Sequence, residues 1–242
     1  MRLGIFTDSH YCYAEQRNRT RRPCLSKRKL AEALDAFRNA KVDLILCLGD
    51  LIDKGDTPEE PIACLDTLME MLRASKLPYR ILAGNHDCHV FSTEEFAKRT
   101  DTSPSPCLMD TDTHRLIFLD ANYASDLSHY SETAQGIYNW KDSNLPPEQL
   151  NFLQDALTQS QKPCIVLLHQ NLDSDADDGH RVNNAQNARR IMEESHRVAL
   201  VLQGHYHKGA DRVENGIRYL TVPAMCEGEE NSFLILDLSS IQ

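Results

Sequence analysis

No apolar run in the sequence approaches the ~20 residues that a membrane-spanning helix needs. The first apolar run is broken by Asp8, too early for a secretory signal, so we expect a cytoplasmic protein that does not bind membranes. The eight cysteines include no C-x-x-C pair, and Cys47 and Cys164 lie within apolar runs. This spacing argues against a disulfide framework and indicates buried thiols in a reducing compartment.

Basic residues are scarce relative to acidic ones, since 26 Lys and Arg face 36 Asp and Glu, for a formal net charge of -10. Affinity for long nucleic acids comes mostly from basic contacts to phosphate, so extended DNA or RNA is not an expected partner. A small phosphorylated substrate remains compatible with this charge, because a bound metal ion can reverse the sign of the local potential. The composition says nothing about the oligomeric state.

A chain of 242 residues can bury a sizeable core. No internal repeat, low-complexity tract or linker divides it, and we expect residues 1–242 to form a single domain. Short apolar runs typical of strands lie at residues 3–7, 42–48, 79–83, 115–120, 164–169, 198–203, 217–222 and 232–238. Helical periodicity is clearest at residues 26–39, 58–74, 147–159 and 185–195, with Ser26 as the expected N-cap of the first helix.

The alternation of strands and helices in the first half predicts βαβ units and a largely parallel sheet. In the second half, Asn215-Gly216 between two strand-like stretches is a strong hairpin signal, which predicts antiparallel strands there. Residues 100–113 and 172–182 are rich in polar turn formers and are predicted to be loops. Together these patterns predict a mixed α/β fold with two packed sheets.

Polar residues of the types that bind metals follow five of the predicted strands. In chain order, the motifs are Asp8-x-His10, Asp50-x-x-Asp53, Asn85-His86-Asp87, His169 and His205-x-His207. Each motif alone is ordinary for a turn or for a hydrogen-bonded histidine. Parallel sheets, however, gather their sites at the carboxyl ends of strands, and all five motifs lie at such ends. The set therefore predicts one metal site where these strand ends converge.

This ordered set, with a glycine before Asp50, Asn85 and His205, resembles the calcineurin-like metallophosphoesterase superfamily. The resemblance extends from residue 8 to residue 207 and implies a four-layer α-β-β-α sandwich with two metal ions at its edge. By position, it implies Asp8, His10 and His207 as ligands of the first ion, Asn85, His169 and His205 as ligands of the second, and Asp50 as the bridge. It also implies that His86 is the catalytic histidine near the leaving group and that Asp87 orients the His86 ring.

Imidazole, carboxylate and amide ligands without thiolate favour Mn, Fe, Zn, Co or Ni over softer metals. Two divalent ions carry more positive charge than Asp8, Asp50 and one bridging hydroxide can neutralise, so the site would attract phosphate although the chain is acidic. The expected chemistry is in-line attack of the metal-bridging hydroxide on phosphorus, without a covalent enzyme intermediate. The expected cofactors are two ions of Mn, Fe or Zn, with Mn favoured.

An arginine-rich segment at residues 17–22 begins shortly after His10 and can reach the predicted site. Arg21 and Arg22 are candidate ligands for a second phosphate, and Tyr206 is a candidate contact for a base or sugar. Alternatively, the arginines belong to a solvated loop and the tyrosine to a pocket wall. Within the superfamily the chain looks most like the manganese-dependent ADP-ribose/CDP-alcohol diphosphatase group, and residues 180–187 occupy the position of a substrate-side loop in that group.

The sequence thus predicts a phosphohydrolase that cleaves a phosphoester or phosphoanhydride bond of a small, nucleotide-type substrate. A cyclic-nucleotide phosphodiesterase is the nearest alternative, since that class also uses Gly-Asn-His-Asp. A phosphomonoesterase or protein phosphatase shares the core, but Lys54 follows Asp53 where protein phosphatases usually have arginine, and Asp87 replaces their glutamate. A metal-free scaffold is a remote alternative, because all seven ligand positions keep metal-binding residue types.

Overall fold

The computed structural model describes residues 1–132 and 139–241, and these ranges contain ten strands and six α-helices. The strands are β1 (Arg2–Phe6), β2 (Leu44–Cys47), β3 (Tyr79–Ile81), β4 (Cys107–Asp110), β5 (Arg115–Phe118), β6 (Cys164–Leu167), β7 (Val198–Gln203), β8 (Ala210–Glu214), β9 (Ile217–Thr221) and β10 (Leu234–Asp237). The helices are α1 (Ser26–Asn39), α2 (Glu60–Ser75), α3 (Asn85–Val90), α4 (Thr93–Thr100), α5 (Pro147–Gln159) and α6 (Ala185–Ser195). None of these helices is long and apolar enough to cross a membrane.

The strands form two sheets, and each sheet mixes parallel and antiparallel pairs. In the four-stranded sheet, β1, β2 and β3 run parallel, and β10 pairs antiparallel with β1. In the six-stranded sheet, β5, β6, β7 and β9 run parallel, while β4 and β8 are antiparallel edges. The β8–β9 hairpin turns at Asn215 and Gly216, both at positive φ, as the sequence predicts. The predicted pair of mixed sheets is confirmed.

Side chains alternate between the two faces of each strand, and this alternation creates the layers. Leu3 and Ile5 of β1 belong to the buried apolar cluster between the sheets, which also contains Leu116 of β5 and Leu200 of β7. Phe6 of β1 instead belongs to the cluster beneath helices α1 and α2. A third cluster lies between the six-stranded sheet and helices α5 and α6. The result is the expected four-layer α-β-β-α sandwich.

The segment at residues 100–113 differs from its prediction as a loop, because it contains β4. This strand pairs antiparallel with β5 over four residue pairs and is half-exposed at the sheet edge. A half-exposed edge strand lacks the continuous apolar run that is typical of a central strand. The strand is therefore recognisable from its pairing with β5 and not from its amino-acid composition. The short helices α3 and α4 also follow no clear apolar period in the sequence.

The start of α1 differs from its prediction in one respect. Ser26 is the first residue of the helix rather than its N-cap, and Leu25 occupies the cap position without a capping side chain. The Ser26 hydroxyl donates instead to the carbonyl oxygen of Ser9. This hydrogen bond connects helix α1 to the loop that carries Asp8 and His10.

Candidate metal centre

The predicted ligands meet at one edge of the sandwich, because five parallel strands from both sheets end there. Asp8 and His10 follow β1, Asp50 follows β2, Asn85 and His86 begin α3 beyond β3, His169 follows β6, and His205 and His207 follow β7. Most of these side chains are fully or almost fully buried, and His86 and His207 are partly exposed. The structure thus brings together residues that are up to 199 positions apart in the chain.

The group expected to hold the first ion is compact. His10 Nε2 lies 3.2 Å from His207 Nε2 and 3.6 Å from Asp8 Oδ1, and His207 Nε2 lies 3.4 Å from Asp8 Oδ1. Donor atoms about 2.1 Å from one ion are separated from each other by about 3.0–3.5 Å. These three donor atoms therefore have the mutual spacing of ligands around one metal ion.

Asp50 stands between the two ligand groups. Its Oδ2 lies 3.4 Å from His10 Nε2 on one side and 3.3 Å from His169 Nε2 on the other. Asp50, His169 and His205 also form a group whose donor atoms all lie within 4.8 Å of one another. One Asp50 oxygen is therefore within reach of both groups, which is the arrangement that a bridging carboxylate requires.

The free donor atoms in the site provide a test of whether metal ions fit. Asp8 Oδ2 is hydrogen-bonded by the Thr7 hydroxyl and the His205 N–H, whereas the buried Asp8 Oδ1 has no hydrogen-bond partner in the described part of the chain. The same is true of His169 Nε2 and His205 Nε2. Buried polar atoms are costly unless they are satisfied. Two cations would satisfy these donors, so the residues present fit a dinuclear centre.

Hydrogen bonds behind the imidazoles fix their orientation. His169 Nδ1 donates to the Leu48 carbonyl oxygen at 2.8 Å, and His207 Nδ1 donates to Glu227 Oε1 at 2.6 Å. A proton on Nδ1 leaves Nε2 as the atom that can bind metal. The two ligand groups therefore each contain a histidine held in the metal-binding tautomer.

The electrostatics of the site favour the binding of positive charge. Burial alone would lower the pKa of His169, but the Asp50 and Asp8 carboxylates outweigh burial and raise this pKa to about 9. Burial likewise opposes protonation of His207, yet its contacts with Asp8 and Cys226 raise its pKa to about 11. Burial would raise the pKa of Asp50, but the neighbouring histidines hold it far below its usual value. Metal cations would provide the positive charge that these carboxylates otherwise draw from protonated histidine.

Several of the candidate ligands have a strained backbone conformation. Asp8, His10, Asp50 and His205 have φ angles of 51°, 42°, 53° and 64°, in the left-handed region that non-glycine residues rarely adopt. Such conformations cost free energy and persist where the surrounding structure holds them. The strained residues coincide with four of the seven predicted ligands, which supports a functional reason for the conformation.

Two glycines of the motifs make room for the carboxylates. A Cβ atom on Gly84 would lie 2.1 Å from Asp50 Oδ1, and one on Gly204 would lie 2.8 Å from Asp8 Oδ2. Any larger residue would displace the carboxylate that it faces. The glycines before Asn85 and His205 are therefore required by close packing around the ligands.

Asp53, rather than Asp87, holds the catalytic candidate His86. His86 Nδ1 lies 2.9 Å from Asp53 Oδ1. The Asp87 carboxylate instead accepts hydrogen bonds from the backbone N–H groups of Leu51, Ile52 and Gly84. The prediction that Asp87 orients the ring is corrected, because consecutive residues of helix α3 do not face each other. Burial and the charge of Asp50 raise the pKa of Asp87 to about 7.

His86 lies close to the first ligand group. Its donor atom falls within 4.8 Å of those of His10 and Asp50. Burial would lower the pKa of His86, but the carboxylates of Asp50 and Asp53 outweigh it and raise this pKa above its usual value. The ring is thus biased towards the protonated form, which can donate a proton.

The three residues predicted to bind substrate occupy different places. Arg21 borders the cleft above the metal centre, with Nη2 3.4 Å from His207 Nε2. Arg22 is not among the cleft-lining residues, and its Nη1 donates to the Arg21 carbonyl oxygen. Tyr206 is not among the cleft-lining residues either, and its ring packs edge-on against His180. Of the three, Arg21 is the one placed to contact a substrate.

Several residues at the site were not named individually as candidates in the sequence analysis. The residues that line the cleft besides the predicted ligands, His86 and Arg21 are Asn18, Thr20, Trp140, His180 and Glu227. Cys226 was also not predicted, and its Sγ lies 3.9 Å from His207 Nδ1. Cys226, His10 and His207 each offer one potential metal-binding atom, and these three atoms lie within 4.8 Å of one another. Asn18 and Thr20 lie in the arginine-rich segment that was predicted to reach the site, and His180 begins the segment compared with a substrate-side loop. No local motif indicated Trp140 or Cys226.

A buried lysine supports the loop that carries Glu227. The Lys29 side chain of α1 is fully buried, and its Nζ donates to the carbonyl oxygens of Met225, Glu227 and Gly228 at 2.7, 2.9 and 3.0 Å. The backbone N–H groups of Met225 and Cys226 in turn donate to the backbone carbonyl oxygens of Thr7 and Asp8. Lys29 therefore connects α1, through Glu227, to the position of His207.

Comparison with known proteins identifies the family of the chain. The family model described as calcineurin-like phosphoesterase matches residues 1–209. The chain therefore belongs to the calcineurin-like phosphoesterase family, a class of dinuclear-metal-dependent enzymes that hydrolyse phosphoesters.

Individual relatives share the fold at low identity. A probable cyclic nucleotide phosphodiesterase of Psychrobacter arcticus is 23% identical over 201 residues, which cover 78% of this chain and 65% of the relative. A probable cyclic nucleotide phosphodiesterase of Moraxella catarrhalis is 28% identical over 187 residues, which cover 72% and 63%. The chain thus spans slightly less than two thirds of the length of these curated relatives. A dimetal phosphatase from Danio rerio has the same fold, with a TM-score of 0.82 at 20% identity over 97% of this chain and 91% of that chain.

Removing the charge of Asp50 tests the bridge. Asp50→Asn should weaken Mn²⁺ binding at both positions, by more than the roughly 10–100-fold typical of an outer-shell change, because both ions would share the lost charge. Asp8→Asn should weaken the first position alone. Isothermal titration calorimetry of the dialysed protein measures both affinities, with the exposed Asp112→Asn as control. Loss of one ion only in Asp50→Asn would contradict the bridging role.

Removing the charge of Glu227 tests the support of His207. Glu227→Gln should weaken the first Mn²⁺ position roughly 10–100-fold, because the His207 ring would lose its carboxylate partner. The second position should keep its affinity. The same titration measures the change, and Glu229→Gln, on an exposed residue two positions along, is the matched control. Equal affinities in the two variants would show that Glu227 does not support the ligand.

Proposed function

We propose that this chain hydrolyses a phosphodiester or diphosphate bond of a small nucleotide-type substrate at the metal centre. The observation that carries the proposal is the cleft above the ligands, which has a volume of ≈ 530 Å³ and is lined by ligand residues together with Arg21. This volume lies within the ~300–1,000 Å³ range of small-molecule sites. An arginine beside a metal centre suits a substrate with a second phosphate or a second phosphoryl oxygen to bind.

The bound ions, for which we favour manganese, would supply Lewis-acid activation of water and of the phosphoryl group. The chain's own residues orient the substrate and handle protons. The Arg21 guanidinium, which borders the cleft between His207 and Asp53, would bind phosphate oxygens in two parallel hydrogen bonds. His86 would hold or donate a proton at the departing oxygen, and its hydrogen bond to Asp53 keeps the ring in place for that task.

A cyclic nucleotide is the second candidate substrate. Two relatives are described as probable cyclic nucleotide phosphodiesterases, and this description favours a cyclic diester. The diphosphate substrate is favoured instead by Arg21, the one residue of the arginine-rich segment at residues 17–22 that borders the cleft near both His207 and Asp53. Both candidates need the same in-line chemistry, and they differ in what Arg21 binds.

A substrate panel separates the candidates. ADP-ribose, CDP-glycerol, cyclic AMP, bis-p-nitrophenyl phosphate and p-nitrophenyl phosphate are assayed with added Mn²⁺, with Asp50→Asn as the control for contaminating activity. We expect the highest kcat/KM with a diphosphate. Highest kcat/KM with cyclic AMP would support the second candidate. A preference for the monoester p-nitrophenyl phosphate over every other compound would rule out both.

Removal of the His86 ring tests its catalytic role. His86→Ala should lower kcat by roughly 10²–10⁴-fold, because the departing oxygen would lose its proton donor. Both Mn²⁺ ions should remain bound, because the ligand groups do not need this residue. Calorimetry and steady-state kinetics are measured on the same preparation, with the nearby His89→Ala as matched control. Loss of a metal ion from His86→Ala would reassign the residue as a ligand.

A further inference from the structure

The cleft has an aromatic border that the proposed catalytic roles leave unused. Trp140 and His180 line it on the side of the second ligand group. Trp140 is the only tryptophan in the 242-residue sequence, and it is partly exposed. Neither metal binding nor proton transfer explains why a large aromatic ring lies beside a cluster of buried charged groups.

The aromatic border begins directly beside a candidate ligand. The ring centroids of Trp140 and His205 are 5.4 Å apart, those of His180 and His205 are 5.1 Å apart, and those of Trp140 and His180 are 5.4 Å apart. The three rings thus touch one another pairwise. A group attached to a phosphate at the metal centre would reach Trp140 and His180 without leaving the cleft.

Both rings are held in place before any substrate arrives. The His180 Nδ1 donates to Asp177 Oδ1 at 2.5 Å, and the His180 ring packs edge-on against Tyr206. On the Trp140 side, Asp142 accepts hydrogen bonds from Ser125 and Asn183. These bonds fix the segment that carries Trp140. Rings that are already ordered can bind a planar group at little cost in conformational entropy.

A neighbouring residue of the same loop also contacts the Trp140 ring. The Lys141 Nζ lies 5.3 Å from the ring centroid, in a cation–π contact. Gly179 lies beside the ring, since a Cβ atom there would be in ordinary contact with Trp140 Cη2, at 3.6 Å. The ring therefore lies between its own loop and the loop of His180.

The rest of the cleft border has a different chemical character. The lining residues near the first ligand group are charged or polar, namely Arg21, Glu227, Asn18 and Thr20. The cleft thus has a polar border suited to phosphate or hydroxyl groups and an aromatic border suited to a planar ring. A sugar phosphate would use only the first border, whereas a nucleotide would use both.

We propose that Trp140 and His180 form the subsite for the nucleobase, which stacks on these rings while its phosphate lies at the metal centre. This proposal rests on the proposed function for the presence of a nucleotide, and it names the residues that recognise the base. Stacking uses the π-face that every base has, so the subsite should discriminate weakly among bases.

Kinetic measurements with one substrate that carries a nucleobase and one that lacks it test the subsite. For Trp140→Leu, the ratio of kcat/KM for ADP-ribose to kcat/KM for dimethyl diphosphate, which has no base, should fall roughly 5- to 100-fold. Trp140→Phe should restore most of the ratio, because it returns an aromatic face. The matched control is Tyr13→Leu, on an aromatic residue that is 57% exposed outside the cleft lining. Mn²⁺ titration of each variant confirms that the metal centre is intact.

Two kinetic results would overturn the subsite while leaving the proposed function in place. One is an equal loss of activity towards both compounds in Trp140→Leu, and the other is no loss towards either. If the wild-type protein hydrolyses neither compound, the diphosphate form of the proposed function has failed, and a binding measurement decides the subsite by itself.

That measurement uses the single tryptophan as its reporter. AMP added to the Mn²⁺-loaded protein should quench Trp140 fluorescence at concentrations where ribose 5-phosphate does not. His180→Leu should raise the AMP concentration needed for half-maximal quenching roughly 5- to 100-fold, whereas His180→Phe should not. Equal quenching by AMP and ribose 5-phosphate, or by neither, would overturn the subsite.

Discussion

The carboxylate of Asp50 is the contact on which both halves of the site depend. It follows β2 in the four-stranded sheet, yet one of its oxygens lies within 3.4 Å of His10 from the same sheet and 3.3 Å of His169 from the other sheet. This contact is possible only if the two sheets are stacked with their parallel strands ending at the same edge. The apolar layer between the sheets, built from alternate residues such as Leu3 and Leu200, maintains that stacking.

The burial of so many ionisable groups places strong demands on the surrounding structure. Carboxylates and imidazoles lie close together and away from water, and several of their atoms have no hydrogen-bond partner among the described residues. Hydrogen bonds from His169 to the Leu48 carbonyl oxygen, from His207 to the Glu227 carboxylate and from the His86 backbone N–H to Asp50 hold the groups in one orientation. The positive φ angles of the ligand residues show that the backbone is also strained to present them.

The division of the cleft into polar and aromatic borders explains how one metal centre can serve different substrates. In the proposed function, the candidate ligands would determine the reaction, because they would hold the ions that activate water. The borders determine the substrate, because they contact the parts of the molecule that do not react. Proteins with the same fold at 20% identity or less can differ in function, since function depends on the residues of the site and not on the fold alone.

Patterns that are local in the chain could be predicted from the sequence. Helices α1, α5 and α6 begin and end where their apolar periodicity does, and the candidate ligands follow the strands whose apolar runs precede them. The Asn215-Gly216 hairpin follows from the backbone preferences of two adjacent residues. The mixed two-sheet fold was predictable for the same reason, because alternation of short apolar and helical segments is a local property.

Contacts between distant segments were decided only by the tertiary structure. Strand β4 exists because it pairs with β5, and Asp53 holds His86 because the turn after β2 passes beside helix α3. Glu227 and Trp140 reach the site through loops whose positions depend on packing elsewhere in the fold. By itself the sequence determined which residues end the strands, since strand endings depend on neighbouring residues. The partner of each of those residues depends on how the two sheets stack, and no local pattern encodes that.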